Sequence, residues 1–219
     1  MHRVFAVLLL SLAALQGQEP YQRPSADILN VLDAPLPPGL SLAPDGRHAL
    51  LTELRRYPSV KDLARPMLRL AGARIDPRTR GPHNPPRLKT LTLLDLATGA
   101  RKEVGLAAGP AFGPPRWSPD GRRFVLTGTT ADAVELWVGD ATGTLRKVPG
   151  VKLNAAFGDP LDWMGSSALL AKAVPAGPAP SLPEAPAGPR IQEHDPAKGK
   201  AAGMATFQDL LQNAADEAL

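Results

Sequence analysis

Hydrolytic chemistry needs a nucleophile beside a base, so serine and histidine are the first residue types to inspect. The best-placed serines lie in Gly165-Ser166-Ser167. A nucleophile elbow sets its serine between two glycines, Gly-x-Ser-x-Gly, so that the hydroxyl projects from a strained strand-to-helix turn. Here the second glycine is missing, and serine is an ordinary turn residue. The segment reads as a hairpin turn. Histidine occurs at His2, His48, His83 and His194, and no two are spaced to place their rings on one helical face around a metal. Glu193-His194-Asp195 has donors for a cation but reads as a solvated loop. Lys198-Gly199-Lys200 matches neither glycine-rich phosphate pattern and reads as a solvated basic cluster.

The remaining chemistry-bearing residues have structural readings. Asp95, Asp120 and Asp140 fall at turns, where a carboxylate accepts hydrogen bonds from nearby backbone; they are not an acid and base pair. Trp117, Trp137 and Trp163 fall at strand positions and are expected to pack in the core, with a ligand-stacking platform as the lesser alternative. The chain has no cysteine, which excludes disulfides and thiolate metal sites. It is expected to carry no catalytic residue, no cofactor site and no metal site of its own.

The elements that position these residues repeat. Leu42-Ala43-Pro44-Asp45-Gly46-Arg47 precedes the apolar Ala49-Leu50-Leu51, and Trp117-Ser118-Pro119-Asp120-Gly121-Arg122 precedes Phe124-Val125-Leu126. In Ser118-Pro119-Asp120-Gly121, proline sets φ at the second position of a type I turn, while serine suits the first and glycine the fourth. Each copy predicts a hairpin. Each is followed by a strand ending in an Asp…Thr-Gly turn: Leu91 to Gly99 in the first copy, Leu136 to Gly143 in the second. Short segments at residues 101–104 and 145–148 complete a four-strand unit. In the second copy Val134, Leu136 and Val138 share one face, with Glu135 and Trp137 on the other. That unit spans 37 residues, 113–149, close to the ~40–45 of a propeller blade.

The predicted fold is therefore all-β: a partial β-propeller of about three four-stranded blades with short helical insertions. Residues 57–88 are inserted in the first unit, with a helical turn capped by Ser59, an added strand over 67–75 and a Pro- and Arg-rich loop over 76–87. The third unit is degenerate, with Trp163-Met164-Gly165-Ser166-Ser167 in place of the Pro-Asp-Gly turn. Six prolines within residues 174–190 favour an extended segment, either a domain linker or a long loop inside a blade. Residues 25–32 predict a short helix, and a capping box at Thr206 predicts another.

Both ends of the chain carry expectations of their own. Met1-His2-Arg3 gives a positive start, and residues 4–15 form an apolar run of 12 broken only by Ser11. A spanning helix needs about 20 residues. Residues 1–17 are thus expected to be a cleaved signal peptide, which places the protein in the periplasm or outside the cell without a stable membrane span. A lead-in follows over 18–39, and an incomplete propeller over 40–219. Three blades are fewer than the ~4–8 of a closed ring, so Leu219 reads as a truncation and the isolated chain as aggregation-prone. The charge of +4, from 25 Lys+Arg against 21 Asp+Glu, is scattered and points to no nucleic-acid partner.

Several segments resemble one family more closely than propellers in general. They include Tyr21-Gln22-Arg23-Pro24, Leu68-Arg69-Leu70-Ala71-Gly72-Ala73-Arg74-Ile75, Val134-Glu135-Leu136-Trp137-Val138, Gly188-Pro189-Arg190-Ile191-Gln192-Glu193 and Asp209-Leu210-Leu211-Gln212-Asn213. On these the chain resembles the prolyl oligopeptidase family of serine peptidases, within it the glutamyl endopeptidase-like branch. The resemblance implies a propeller that gates peptide substrates for a C-terminal α/β-hydrolase domain carrying the Ser, Asp and His, a domain missing here. It also makes the Pro-rich residues 174–190 an insertion within the propeller rather than a domain boundary, and it transfers no catalytic residue to this chain. The alternative reading is a non-catalytic periplasmic propeller that binds or scaffolds other proteins.

Overall fold

Two Pro-Asp-Gly turns set the strand pairing. In the computed structural model, which describes residues 22–70, 72–177, Ala214 and Glu217, the Gly46 N–H donates to the Ala43 carbonyl and the Gly121 N–H to the Ser118 carbonyl, both at 2.9 Å. Both glycines are left-handed, at φ +69° and +70°, a conformation that a Cβ opposes. The first turn joins β1 (Gly39–Leu42) to β2 (His48–Leu54). The second joins β9 (Arg116–Trp117) to β10 (Arg123–Thr129).

Each hairpin grows into a sheet. In the first, β2 pairs with β6 (Leu88–Asp95) and β6 with β7 (Arg101–Glu103), giving four antiparallel strands in the order β1-β2-β6-β7. In the second, β10 pairs with β11 (Val134–Asp140) and β11 with β12 (Leu145–Leu153). Its first strand is split into β8 (Ala111–Phe112) and β9, both paired with β10. Pro114 and Pro115 fall in the gap and bring no N–H for a ladder. The degenerate third unit is a hairpin of β13 (Leu161–Met164) and β14 (Ala168–Ala171) turning at Gly165, φ +63°.

The sheets stack face to face. Leu50, Leu91 and Leu93 of the first sheet meet Phe112, Phe124 and Leu126 of the second in one core. Val125, Val134 and Leu136, on the opposite face of the second sheet, meet Leu161 of the third hairpin and Leu153 in another. The second sheet is thus a middle layer covered on both sides, which explains its nearly continuous apolar strand Phe124-Val125-Leu126. The alternation expected in β11 holds: Val134, Leu136 and Val138 enter the second core, while Trp137 packs against the first.

The insertion between β2 and β6 is richer than expected. Ser59 caps α2 (Val60–Leu63) through a complete capping box with Asp62. Residues 67–75, expected to form a single strand, instead fold back: β3 (Leu68–Leu70) pairs with β4 (Ala73–Asp76) around Gly72, whose φ of +79° ends the extended run. The expected loop over 76–87 contains β5 (Gly81–Pro82), the third strand of this small sheet. Leu70 and Ile75 pack with Ala156 in a separate small core.

The chain divides after Leu36. In the preceding unit the expected helix is α1 (Ala26–Leu32); Ser25 stands at its N-cap without a side-chain cap bond. The segment 1–17 expected to be a signal peptide, most of the Pro-rich stretch 174–190, Glu193-His194-Asp195, Lys198-Gly199-Lys200 and the helix expected to start at Thr206 lie outside the described residues. Among the described residues no helix is long and apolar enough to cross a membrane.

The middle sheet has no spare room where Phe124 lies opposite Gly139: a Cβ on Gly139 would stand 2.2 Å from the Phe124 ring. Gly139→Ala is expected to destabilise the protein by about 1–3 kcal/mol through overpacking, read as a lowered urea midpoint. An unchanged midpoint would contradict this packing.

Candidate functional site

The aspartates singled out by the sequence serve their own turns. Asp95 Oδ1 accepts from the Ala97 and Thr98 N–H groups at 2.9 and 2.8 Å. Asp120 Oδ1 accepts from the Ser118 hydroxyl at 2.6 Å and the Arg122 N–H at 3.1 Å. Asp140 Oδ1 accepts from the Thr142 hydroxyl and N–H and from the Thr144 N–H. All three carboxyls are held below the ordinary Asp value. The Thr98 N–H is the chief cause at Asp95 and the Ser118 hydroxyl at Asp120. At Asp140 burial pushes upward, and the bonds from Thr142 and Thr144 outweigh it. They are ionised turn locks, each in a different turn.

The tryptophans pack as expected. Trp117 meets Phe124 edge to face at 5.4 Å and donates from Nε1 to the Ser41 carbonyl at 3.1 Å, tying the second sheet to the first. Trp137 meets Phe112 at 5.1 Å, and Trp163 packs against the second core. Ser166 and Ser167 form the β13–β14 turn. His48 opens β2 opposite Asp95, and His83 in the inserted sheet lies 3.1 Å by Nε2 from the Arg65 carbonyl. Among the described residues no three His, Asp or Glu side chains converge on a metal position.

What the sequence did not reveal is a set of charged groups joined only by folding. Arg116 reaches the Asp159 carboxylate, the Leu161 carbonyl at 2.7 Å and, at 3.5 Å, the Asp162 carboxylate. With Leu170 and Lys172 these residues line a cleft of about 370 Å³ where β9 of the second sheet faces β13 and β14. A second cleft, of about 300 Å³, is lined by Arg122, Arg123 and Arg146 around Asp140. Neither contains a serine or histidine. The groups that line them can form charge pairs. Residues 43 or more positions apart carry no local signal of such pairing.

The inserted sheet is anchored by polar groups. Asp76, whose side chain is 4% exposed, pairs with Arg65 at 2.6 Å. The Arg65 guanidinium also reaches the Ala131 carbonyl, and the Ala155 N–H donates to the Arg80 carbonyl at 2.7 Å. Arg80 is itself left-handed, at φ +51°.

Fold and site together define a layered antiparallel β protein whose described residues form two clefts lined by arginines and carboxylates. No family model matches the chain. It is similar to the probable chloroplastic glutamyl endopeptidase of Oryza sativa subsp. japonica, at 34% identity over 218 residues, covering 90% of this chain and 22% of that protein. A probable chloroplastic glutamyl endopeptidase of Arabidopsis thaliana is 31% identical over the same shares. The chain spans about a fifth of the length of these curated relatives. The similarity supports a relation to peptidases.

A carboxyl held low in the folded protein takes up its proton more readily in the unfolded chain. Asp95, Asp120 and Asp140 therefore contribute stability above the ordinary Asp range, and that stability is lost as pH falls through their lowered values. The urea midpoint is expected to be level from about pH 7 to about pH 5 and to decline toward about pH 3. Asp140→Asn is expected to flatten the decline. Equal midpoints at both ends of the range would contradict the locks.

Proposed function

We propose that this chain is the N-terminal β-propeller portion of an exported serine peptidase, with the catalytic α/β-hydrolase domain in a longer protein. The observation that carries the reading is the second sheet: four antiparallel strand positions in chain order, buried on both faces between sheets that precede and follow it. Stacking of consecutive four-stranded sheets is how a propeller is built. The similarity to proteins named glutamyl endopeptidase, over a fifth of their length, supports a peptidase as the whole. The propeller's part is to restrict entry to peptides and flexible segments. In the hydrolase domain, serine attacks the peptide carbonyl with histidine as general base and backbone N–H groups holding the oxyanion. Export rests on residues 1–17.

The outer face of the first sheet supports ring closure. Ser41 pairs with the core residue Leu50, which turns Leu40 and Leu42 to the other side, beside Leu51 and Leu94. Leu40 and Leu42 are 60% and 59% exposed. In a closed ring a further sheet covers them.

Two experiments test this. The purified chain is expected to hydrolyse no peptide, whereas the protein extended past Leu219 is expected to contain Gly-x-Ser-x-Gly and to cleave peptides until treated with a serine-directed inhibitor. Further sheets with no hydrolase domain would instead favour the scaffolding alternative. Separately, Leu42→Lys should change the stability of the isolated chain by no more than about 0.5 kcal/mol. In a closed ring it should cost about 1.5–3 kcal/mol by removing a buried leucine. Equal effects in both forms would argue against closure over this face.

A further inference from the structure

The β3–β4 hairpin of the inserted sheet has two faces of opposite character. Leu68 pairs with Ile75 and Leu70 with Ala73, and these four side chains share the small core with Ala156. The intervening pair is Arg69 opposite Arg74, both exposed. Residues directly opposite in an antiparallel pair carry Cβ atoms ~4.5–5.5 Å apart, and like charges there repel. Neither arginine has an ion-pair partner within 4.0 Å among the described residues. Asp76, two residues beyond Arg74 on the same face, does not neutralise them. One of its oxygens is taken by Arg65, and the other accepts from the Arg78 N–H at 2.9 Å. The His83 ring lies against the Arg65 carbonyl.

The two arginines thus stand directly opposite each other, on a hairpin fastened by the ion pair of half-buried Arg65 with buried Asp76 and by the Ala155-to-Arg80 backbone bond. Each guanidinium is a planar fork suited to a carboxylate. A carboxylate between them would turn the repulsion into attraction, and the fixed register sets the spacing at which the two side chains start. We propose that Arg69 and Arg74 form a docking point for an acidic peptide segment, whose Asp or Glu side chain sits between the two arginines. This rests on the hairpin's register and burial, and holds whether or not the chain gates a peptidase.

The test is fluorescence anisotropy with a fluorescein-labelled, glutamate-rich peptide and its glutamine counterpart. The full 219-residue chain is titrated, or the longer protein if the chain precipitates. Arg69→Gln/Arg74→Gln is expected to weaken binding by about ten-fold or more. Arg47→Gln/Arg101→Gln, which removes the same charge at exposed positions outside both clefts, is expected to stay within about two-fold of the original protein. The glutamine peptide should not bind. The melting midpoints of Arg69→Gln and Arg74→Gln should match or exceed the original, because a repulsion is relieved. Equal losses in the two double variants would mean general charge attraction and overturn the proposal. So would absence of binding, or displacement of the peptide by inorganic phosphate at the same concentration.

Discussion

Burial of the second sheet on both faces is the constraint on which the rest of the structure depends. A sheet exposed on one side can alternate apolar with polar residues; one covered on both cannot. Phe124, Val125 and Leu126 are consecutive and all buried, because the first and third face one neighbouring layer while the middle residue faces the other. The close approach of Phe124 to Gly139 follows from the same demand, since the aromatic ring needs the space that a side chain would fill. Trp117 and Trp137 then complete the layer next to the first sheet, each with its ring edge to face against a phenylalanine.

Polar groups fix direction where apolar packing alone would leave it open. The aspartates at the strand reversals use their carboxylates on neighbouring N–H and hydroxyl groups, so each turn is closed by contacts within a few residues. Longer-range polar contacts join the layers: the Trp117 indole reaches Ser41 in the first sheet, and Arg116 reaches three groups at the start of the third hairpin. The exposed ion pairs among these contribute little energy. Their effect is on orientation, since a guanidinium in contact with two carboxylates and a carbonyl allows few alternative placements of β13.

The functional reading follows the same division. An enzyme centre requires a nucleophile and base brought together, and the described residues bring together arginines and carboxylates instead. Such groups can pair with charge, whereas bond breaking requires other groups. This fits a chain that resembles peptidases over only a fifth of their length. The inserted sheet is no part of the four-strand repeats; it is anchored to the second unit at Ala131, Ala155 and Ala156 and carries Arg69 and Arg74 on its exposed face.

Residue type and spacing alone determined the all-β character, the hairpins at Pro-Asp-Gly, the first sheet's four strands, the Ser59 cap, the structural role of the turn aspartates and the core placement of the tryptophans. All of these depend on contacts within a few residues or on a period of two, which a chain displays locally. The hairpin of β3 and β4 shows in the sequence only as a change of parity, with apolar Leu68 and Leu70 at even positions and Ala73 and Ile75 at odd ones, the reversal falling at left-handed Gly72. Arg116 with Asp159, Arg65 with Asp76 and Arg69 beside Arg74 were decided by tertiary structure. Ion pairs across 11 or 43 positions, and the outward face of a hairpin, depend on which side of each strand the core claims. That choice is made only when the layers come together.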